Sequence, residues 1–244
     1  MSELGAAPVP APALPGLPAR CTGVLLTPRR AMSAIAGQPR WVGVLVLVAC
    51  MSALCAAGFG LTAVGRQAML DQQVQTLESF GRSVTDRQYA TLKAVDRYAA
   101  PIGLAEGLVG TPLAVLLTSA LLFWVFNGLL DGRARFAQVF AVVAHAGVIL
   151  ALQQVLLLPL DYVRQTVSSP VNLSALFPVF DQGTFPARLL GSLDLFRLWW
   201  IVLVAIGLGV VYRRRIGRIF LGLTGVYLLI GVILATVQTI AGGV

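Results

Sequence analysis

The chain contains four long apolar runs in which no Asp, Glu, Lys or Arg occurs. They are Trp41–Val64, Gly107–Leu130, Phe136–Leu160 and Ile219–Val244, and each is 24 to 26 residues long. An α-helix needs roughly 20 apolar residues to cross the hydrocarbon core of a bilayer. Each run is therefore predicted to form a transmembrane helix.

A fifth span is predicted around the stretch between Arg197 and Arg213, although only 15 residues separate these two arginines. A helix that begins at Leu193 would reach 20 residues, with Arg197 close enough to its end for the side chain to extend to the interface. The predicted fold class is all-α: a polytopic membrane protein with a bundle of five transmembrane helices. The predicted spans are residues 41–64, 107–130, 136–160, 193–212 and 219–241.

The composition excludes a water-soluble protein. Hydrophobic residues make up 57% of the chain and charged residues 11%, whereas a soluble domain carries roughly 25% charged residues. The net charge of +8 would suggest nucleic acid in a soluble protein, but in a membrane protein it indicates cytoplasmic loops and anionic lipid head groups. Soluble enzymes and nucleic-acid-binding proteins are therefore excluded.

The charges divide unequally between the two sides of the predicted bundle. The side that holds the N-terminus has ten basic and two acidic residues, and the other side has eight of each. Because basic residues accumulate in cytoplasmic loops, the N-terminus is predicted to be cytoplasmic and the C-terminus to lie on the opposite side. Of the 18 basic residues 17 are Arg, a composition that suggests a bacterial gene and an inner-membrane location. The arginines expected to face lipid head groups are Arg29, Arg30, Arg40, Arg213, Arg214, Arg215 and Arg218.

Two segments precede the first span. Residues 1–20 are rich in Ala and Pro and are predicted to be a disordered tail. Residues 21–40 are predicted to be an interfacial segment with a short helix, because Thr27 fits an N-cap, Pro28 the first helical position and Gly37 the stop. The alternative for residues 21–40 is an ordered lead-in to the first span. Residues 41–244 form the membrane domain.

Two longer connections separate the spans. Residues 65–101 carry nine charges and apolar residues at near-helical spacing, which predicts an amphipathic helix or helical hairpin at the membrane surface with a break at Gly81. Residues 161–192 mix prolines with Leu and Phe, which predicts an apolar loop packed on the helices. The sequence leaves open whether this loop is re-entrant or interfacial.

Polar residues inside the predicted spans are the candidate sites, because burying them in lipid is costly. Gln138 and His145 lie seven residues apart on one helix face, and with Asn127 they form a candidate polar intramembrane seam. This seam would contact a substrate, a proton or a partner helix, or it would fix helix packing through interhelical hydrogen bonds. Asp194 is predicted to cap the fourth span and to pair with Arg197 at the membrane edge.

No catalytic, metal or cofactor site is predicted. The chain has one His, three Cys and no C-x-x-C, G-x-S-x-G or H-E-x-x-H motif, so it offers no nucleophile–base pair and no set of zinc ligands. Small residues recur every four positions and predict close helix packing, either within the chain or between chains. These positions are Ala49/Ala53/Ala57, Ser52/Ala56/Gly60, Ala205/Gly209 and Gly231/Ala235.

Several short motifs occur in an order that resembles the Yip family of Ypt/Rab-interacting membrane proteins, in particular its bacterial branch. The motifs cover most of residues 25–235. They are Leu26-Thr27-Pro28-Arg29, Gln38–Trp41, Asn127–Gly132, Phe136-Ala137-Gln138, Leu193–Trp199, Ala205–Gly209 and the basic cluster Arg213–Arg215.

The resemblance implies a five-helix bundle with a cytoplasmic N-terminus and, from the eukaryotic members, roles in vesicle trafficking, binding of prenylated small GTPases and mutual association. Binding of a small GTPase rests on the resemblance alone. Two functional hypotheses follow. The first is a non-enzymatic scaffold or partner-binding subunit that contacts other membrane proteins or a second copy of itself. The second is a transporter or permease accessory subunit that uses the polar seam.

Overall fold

The protein is an all-helical bundle. The structure is a computed structural model that describes residues 16–177, 180–181 and 184–241. Within these ranges, the β-type pairing is limited to an isolated bridge between Asn172 and Asp194. The helices are α1 (Leu17–Leu26), α2 (Pro28–Gly37), α3 (Val42–Leu61), α4 (Ala63–Ser79), α5 (Asp86–Leu129), α6 (Phe136–Arg164), α7 (Leu173–Leu176), α8 (Phe185–Ser192), α9 (Leu195–Val211) and α10 (Ile216–Ala241).

Within the described residues, the helices α3, α5, α6 and α10 are long and apolar enough to cross a membrane. The fourth predicted span, residues 193–212, is shorter than expected: α9 has 17 residues, about 25 Å at 1.5 Å per residue. It begins only after Asp194, whose side chain caps it, and the chain turns at Arg213, which has a positive φ of 52°. Its central residues Leu203, Val204, Ala205 and Leu208 are fully buried, so α9 forms the core of the bundle.

The connection between the first two spans is helical, as predicted, and is continuous with the second span. Helix α4 ends at Ser79, and the chain reverses at Gly81, which has a positive φ of 73°. A Cβ at Gly81 would lie 2.1 Å from the carbonyl oxygen of Ala241, so glycine is required at this break. Helix α5 then runs for 44 residues, with π-helical turns at Glu106–Gly110 and Trp124–Leu129.

The segment before the first span differs from the sequence prediction. Residues 1–15 of the predicted disordered tail lie outside the described residues, but residues 17–20 belong to helix α1. Helix α2 begins at Pro28 and ends at Gly37, as expected. Its apolar residues Met32 and Ile35, and Val24 in α1, are buried in the same core as residues of α6 and α9. The segment 21–40 therefore packs most of its apolar face on protein, whereas Leu26 is 80% exposed.

The predicted small-residue faces allow close approach between helices of this chain. A Cβ at Gly107 in α5 would lie 2.2 Å from Cα of Ala53 in α3, and a Cβ at Gly103 would lie 2.8 Å from the carbonyl carbon of Ala56. In α10, a Cβ at Gly231 would lie 2.7 Å from Oγ of Ser192 in α8. These faces are thus covered by intramolecular packing.

Residues 161–192, predicted to be an apolar loop, are partly helical. Helix α6 continues to Arg164 and ends at Gln165 in the left-handed conformation. The short helices α7 and α8 follow, and α8 packs on α10. Proline and asparagine start these helices: Asn172 caps α7 by accepting from the N–H of Ala175, and Pro186 occupies the first turn of α8. Residues 178, 179, 182 and 183 lie outside the described residues.

Candidate functional site

The arginines predicted to face lipid lie at one end of the bundle. There, Nε2 of Gln138 donates to the carbonyl of Ala36 at 2.9 Å, and the guanidinium of Arg214 donates to the carbonyl of Leu130. These contacts join the N-terminal segment, the α5–α6 connection and the α9–α10 connection. The seven predicted arginines are all exposed: Arg29, Arg30, Arg40, Arg213, Arg214, Arg215 and Arg218.

Asn127 links the α5–α6 connection to the end of α9 through hydrogen bonds. Its Oδ1 accepts a hydrogen bond from the hydroxyl of Tyr212 at 2.7 Å, and its Nδ2 donates to the carbonyl of Ala134 at 2.9 Å. The ring of Tyr212 stacks on Phe126 with the centroids 4.9 Å apart. Asn127 therefore has a packing role in this structure.

Gln138 bridges the start of α6 and the end of α2. Its Oε1 accepts from the backbone N–H of Arg135 at 3.0 Å, which satisfies a free donor at the helix N-terminus. Its Nε2 makes the hydrogen bond to Ala36 described above. Both ends of this amide are thus engaged with backbone groups.

His145 is fully buried and contacts the N-terminal helix α1. Its Nδ1 lies 2.7 Å from the carbonyl oxygen of Ala141, and its Nε2 lies 3.3 Å from Nη1 of Arg20. A carbonyl oxygen only accepts and a guanidinium only donates, so the hydrogen is on Nδ1 and the lone pair on Nε2 faces Arg20. The same Nη1 donates to the carbonyl of Arg40 at 2.7 Å.

Sequence reasoning missed Arg20, because it placed this residue in the disordered tail. The partners Arg20 and His145 are 125 residues apart, and no local pattern links them. Arg20 is the fourth residue of α1, and nothing in the sequence around it indicates a buried partner.

Gln138 and His145 share one face of α6, as the spacing predicted, and both contact the N-terminal segment. Asn127 is engaged elsewhere, with Tyr212 and Ala134. A cavity of about 420 Å³ lies between α3, α5, α6, α9 and α10, and the three seam residues do not line it. The polar groups of Asn127, Gln138 and His145 are engaged in hydrogen bonds within the chain, so the transporter-accessory hypothesis is not favoured.

Asp194 lies at the opposite end of the bundle and is 6% exposed. Its Oδ1 accepts from the backbone N–H groups of Phe196 at 2.8 Å and Arg197 at 3.1 Å, which is the predicted cap. Its Oδ2 accepts from Nε2 of Gln153 at 3.1 Å and from the hydroxyl of Ser169. These four donors compensate the loss of water around the carboxylate.

The expected ion pair between Asp194 and Arg197 is not formed. Arg197 is an exposed residue, and the carboxylate already receives hydrogen bonds from two side chains and two backbone N–H groups. Arg197 instead lines the 420 Å³ cavity together with Gln153 and Tyr227. Tyr227 of α10 accepts from the N–H of Asp194 at 3.2 Å and donates to the carbonyl of Ser192 at 2.6 Å. Asp194 therefore connects α6, α9 and α10.

Within the described part of the chain, no group of three His, Cys, Asp or Glu side chains could hold a metal ion. The cysteines Cys21, Cys50 and Cys55 are free thiols. Burial raises the pKa of the Cys21 thiol in α1, and the nearby Arg20 charge opposes this effect. A raised pKa lowers the thiolate fraction at neutral pH and makes Cys21 a poor nucleophile.

Comparison with known proteins identifies the family. The family model described as the Yip1 domain matches residues 22–237, which include every described helix that could span a membrane except the last residues of α10. No curated protein and no solved structure has significant similarity to the chain. The family match agrees with the resemblance in the motifs and with the all-helical membrane fold, and the chain therefore belongs to the Yip1 family.

Proposed function

We propose that this Yip1-family protein is a non-enzymatic membrane scaffold or partner-binding subunit, which associates with other integral membrane proteins or with a second copy of itself. The observation that carries the proposal is the use of its polar intramembrane residues. Asn127, Gln138, His145 and Asp194 all form hydrogen bonds within the chain. Their arrangement supports a rigid bundle more than a site for chemistry.

The surface available to a partner is the outer face of α5 and α10. In their most apolar stretches, 11% and 17% of the residues are buried, against 39% for α3 and 50% for α6. Leu117 of α5 and Leu229 of α10 are both more than half exposed. Apolar helices that contribute little to internal packing have the largest surface left for lipid or for another helix.

Site-specific photo-cross-linking in native membranes tests this proposal. A photoreactive amino acid is placed at Leu117 or Leu229, and at Val46 of α3 and Val155 of α6 as matched outward-facing positions. We expect adducts of one defined mass from the α5 and α10 positions and none from the two controls. Equal labelling at all four positions would indicate random collision in the bilayer and would contradict the proposal.

We also propose that the arginine-rich end of the bundle is cytoplasmic and that the protein resides in a bacterial inner membrane. The positive-inside distribution of charge supports this orientation. The test starts from a variant without its three native cysteines. Made separately in it, Ser33→Cys places one exposed thiol at the arginine-rich end, and Ser83→Cys places one at the opposite end. A membrane-impermeant maleimide added to intact cells should label the cysteine at position 83 and not that at position 33. The reverse pattern would refute the orientation.

A further inference from the structure

A groove of about 640 Å³ runs between α5 and α10 at the arginine-rich end of the bundle. Its floor is apolar and consists of the buried side chains of Leu122, Phe126 and Ile219. Leu121 and Val226 form its outer rims and are 59% and 57% exposed. The volume falls within the range of roughly 300–1,000 Å³ that is typical of sites for small organic ligands.

Three arginines close the groove at one end. Arg214, Arg215 and Arg218 line it, and no acidic residue is among the described residues around it. Arg214 is held in place by its hydrogen bond to the carbonyl of Leu130. Arg215 and Arg218 are exposed. The groove therefore combines an apolar trough with a concentrated positive charge at its mouth.

The length of the apolar part matches one leaflet of a bilayer. From Arg218 to Val226 the helix rises about 12 Å at 1.5 Å per residue. Half of a hydrocarbon core of about 30 Å is about 15 Å. A lipid with its phosphate at the level of the arginines would thus have an acyl chain along the trough.

We propose that this groove is a binding site for an anionic glycerophospholipid from the leaflet at the arginine-rich end. The lipid phosphate contacts Arg215 and Arg218, and one acyl chain lies on Leu122, Phe126 and Ile219. Charge complementarity selects the anionic head group, and the apolar floor selects a lipid over a soluble phosphate. The site needs no protein partner, but it lies between α5 and α10, whose outer face the scaffold proposal assigns to a partner.

Gly222 supplies a direct test of the trough. It lines the groove, and a Cβ built on it would have no neighbouring heavy atom within 4 Å. Gly225 is one turn further along α10, is equally open, and is not part of the groove lining. Gly222→Phe should fill the trough without disturbing the fold, and Gly225→Phe is the matched control.

The experiment is native mass spectrometry of the full chain in detergent, titrated with phosphatidylglycerol or with phosphatidylcholine of the same acyl chains. We expect phosphatidylglycerol to bind about tenfold more tightly. Arg215→Gln combined with Arg218→Gln should weaken its binding by about 30-fold, which corresponds to ~1 kcal/mol per arginine. Arg29→Gln combined with Arg30→Gln removes the same charge elsewhere at this end and should change binding less than threefold.

Gly222→Phe should weaken binding of phosphatidylglycerol by at least tenfold, and Gly225→Phe should leave it unchanged. Equal loss in both arginine double variants would show a diffuse charge effect and overturn the proposal. Displacement of the lipid by equimolar glycerol 3-phosphate would show a phosphate site without an acyl-chain site and would also overturn it. So would a dimer that is present in the original protein and lost in Gly222→Phe, because the groove would then hold a second copy.

Discussion

Helices α9 and α10 are consecutive, apolar and packed against each other, yet they occupy opposite environments. Helix α9 has seven buried residues among 17, and α10 has three among 26. The shorter helix is the central one, and the longer helix faces outwards. Apolar composition thus reports residence in the membrane, whereas the position of a helix within the bundle depends on what its small and polar residues contact.

The two helices differ most in the hydrogen bonds that connect them to the rest of the bundle. Helix α9 begins at a buried carboxylate that receives hydrogen bonds from α6, from the α6–α7 connection and from its own first turn. Among the described residues, the contribution of α10 to this cluster comes from Tyr227. The comparison predicts that substitutions in α9 lower the stability of the protein and that substitutions in α10 change it little.

The largest expected effect is that of Asp194→Ala. The change removes the helix cap and leaves the donors of Gln153 and Ser169 without an acceptor, so we expect a loss of about 3 kcal/mol in the free energy of unfolding. Asp194→Asn keeps a side-chain oxygen for the cap and should cost about half as much. Thermal unfolding of the detergent-solubilised variants measures both. Equal destabilisation by Ala and Asn would show that the cap does not contribute.

An intermediate effect on stability is expected from substitution of Gly207 in α9, compared with substitution of Gly225 in α10. A Cβ at Gly207 of α9 would lie 2.3 Å from Cγ1 of Val142 in α6, a stiff and fully buried side chain. Gly207→Leu should therefore reduce stability by about 2 kcal/mol through overpacking. Gly225→Leu in α10 meets open space, so stability should stay constant or rise by up to about 1 kcal/mol from better helix propensity. A similar loss of stability in both variants would contradict the predicted difference between α9 and α10.

These two helices also show what the sequence can predict. The sequence predicts α10 from its long apolar run, because a helix in lipid must be long and apolar and must satisfy its backbone hydrogen bonds internally. The cap at Asp194 was predicted from its position before an apolar run, and this cap places the start of α9 two residues after the predicted Leu193.

The tertiary partners of polar residues could not be predicted. Asp194 was expected to pair with Arg197, three residues away, but its partners Gln153 and Ser169 are 41 and 25 residues away. The contact of His145 with Arg20 spans 125 residues. Periodicity identifies which face of a helix a residue occupies, and it carries no information about which segment covers that face.

The smallest expected effect on stability concerns the N-terminal helices, of which α2 packs on α9, and α1 packs on α2 and α6. His145→Leu removes the acceptor for Arg20, while the hydrogen bond from Arg20 to the carbonyl of Arg40 remains. We expect a loss of at most about 1 kcal/mol in global stability and a local increase in amide hydrogen exchange across residues 17–26. Hydrogen-exchange mass spectrometry distinguishes this local increase in exchange from a loss of global stability.

Ser119→Ala is the matched control for this substitution. Ser119 is also fully buried and polar, but its hydroxyl donates to the carbonyl of Val115 within the same helix. Its removal should leave exchange in α1 unchanged, because no contact between segments is lost. Faster exchange of α1 in both variants would mean that the N-terminal helices respond to general loosening of the core. Faster exchange in His145→Leu alone would establish that a single buried imidazole holds α1 on the bundle.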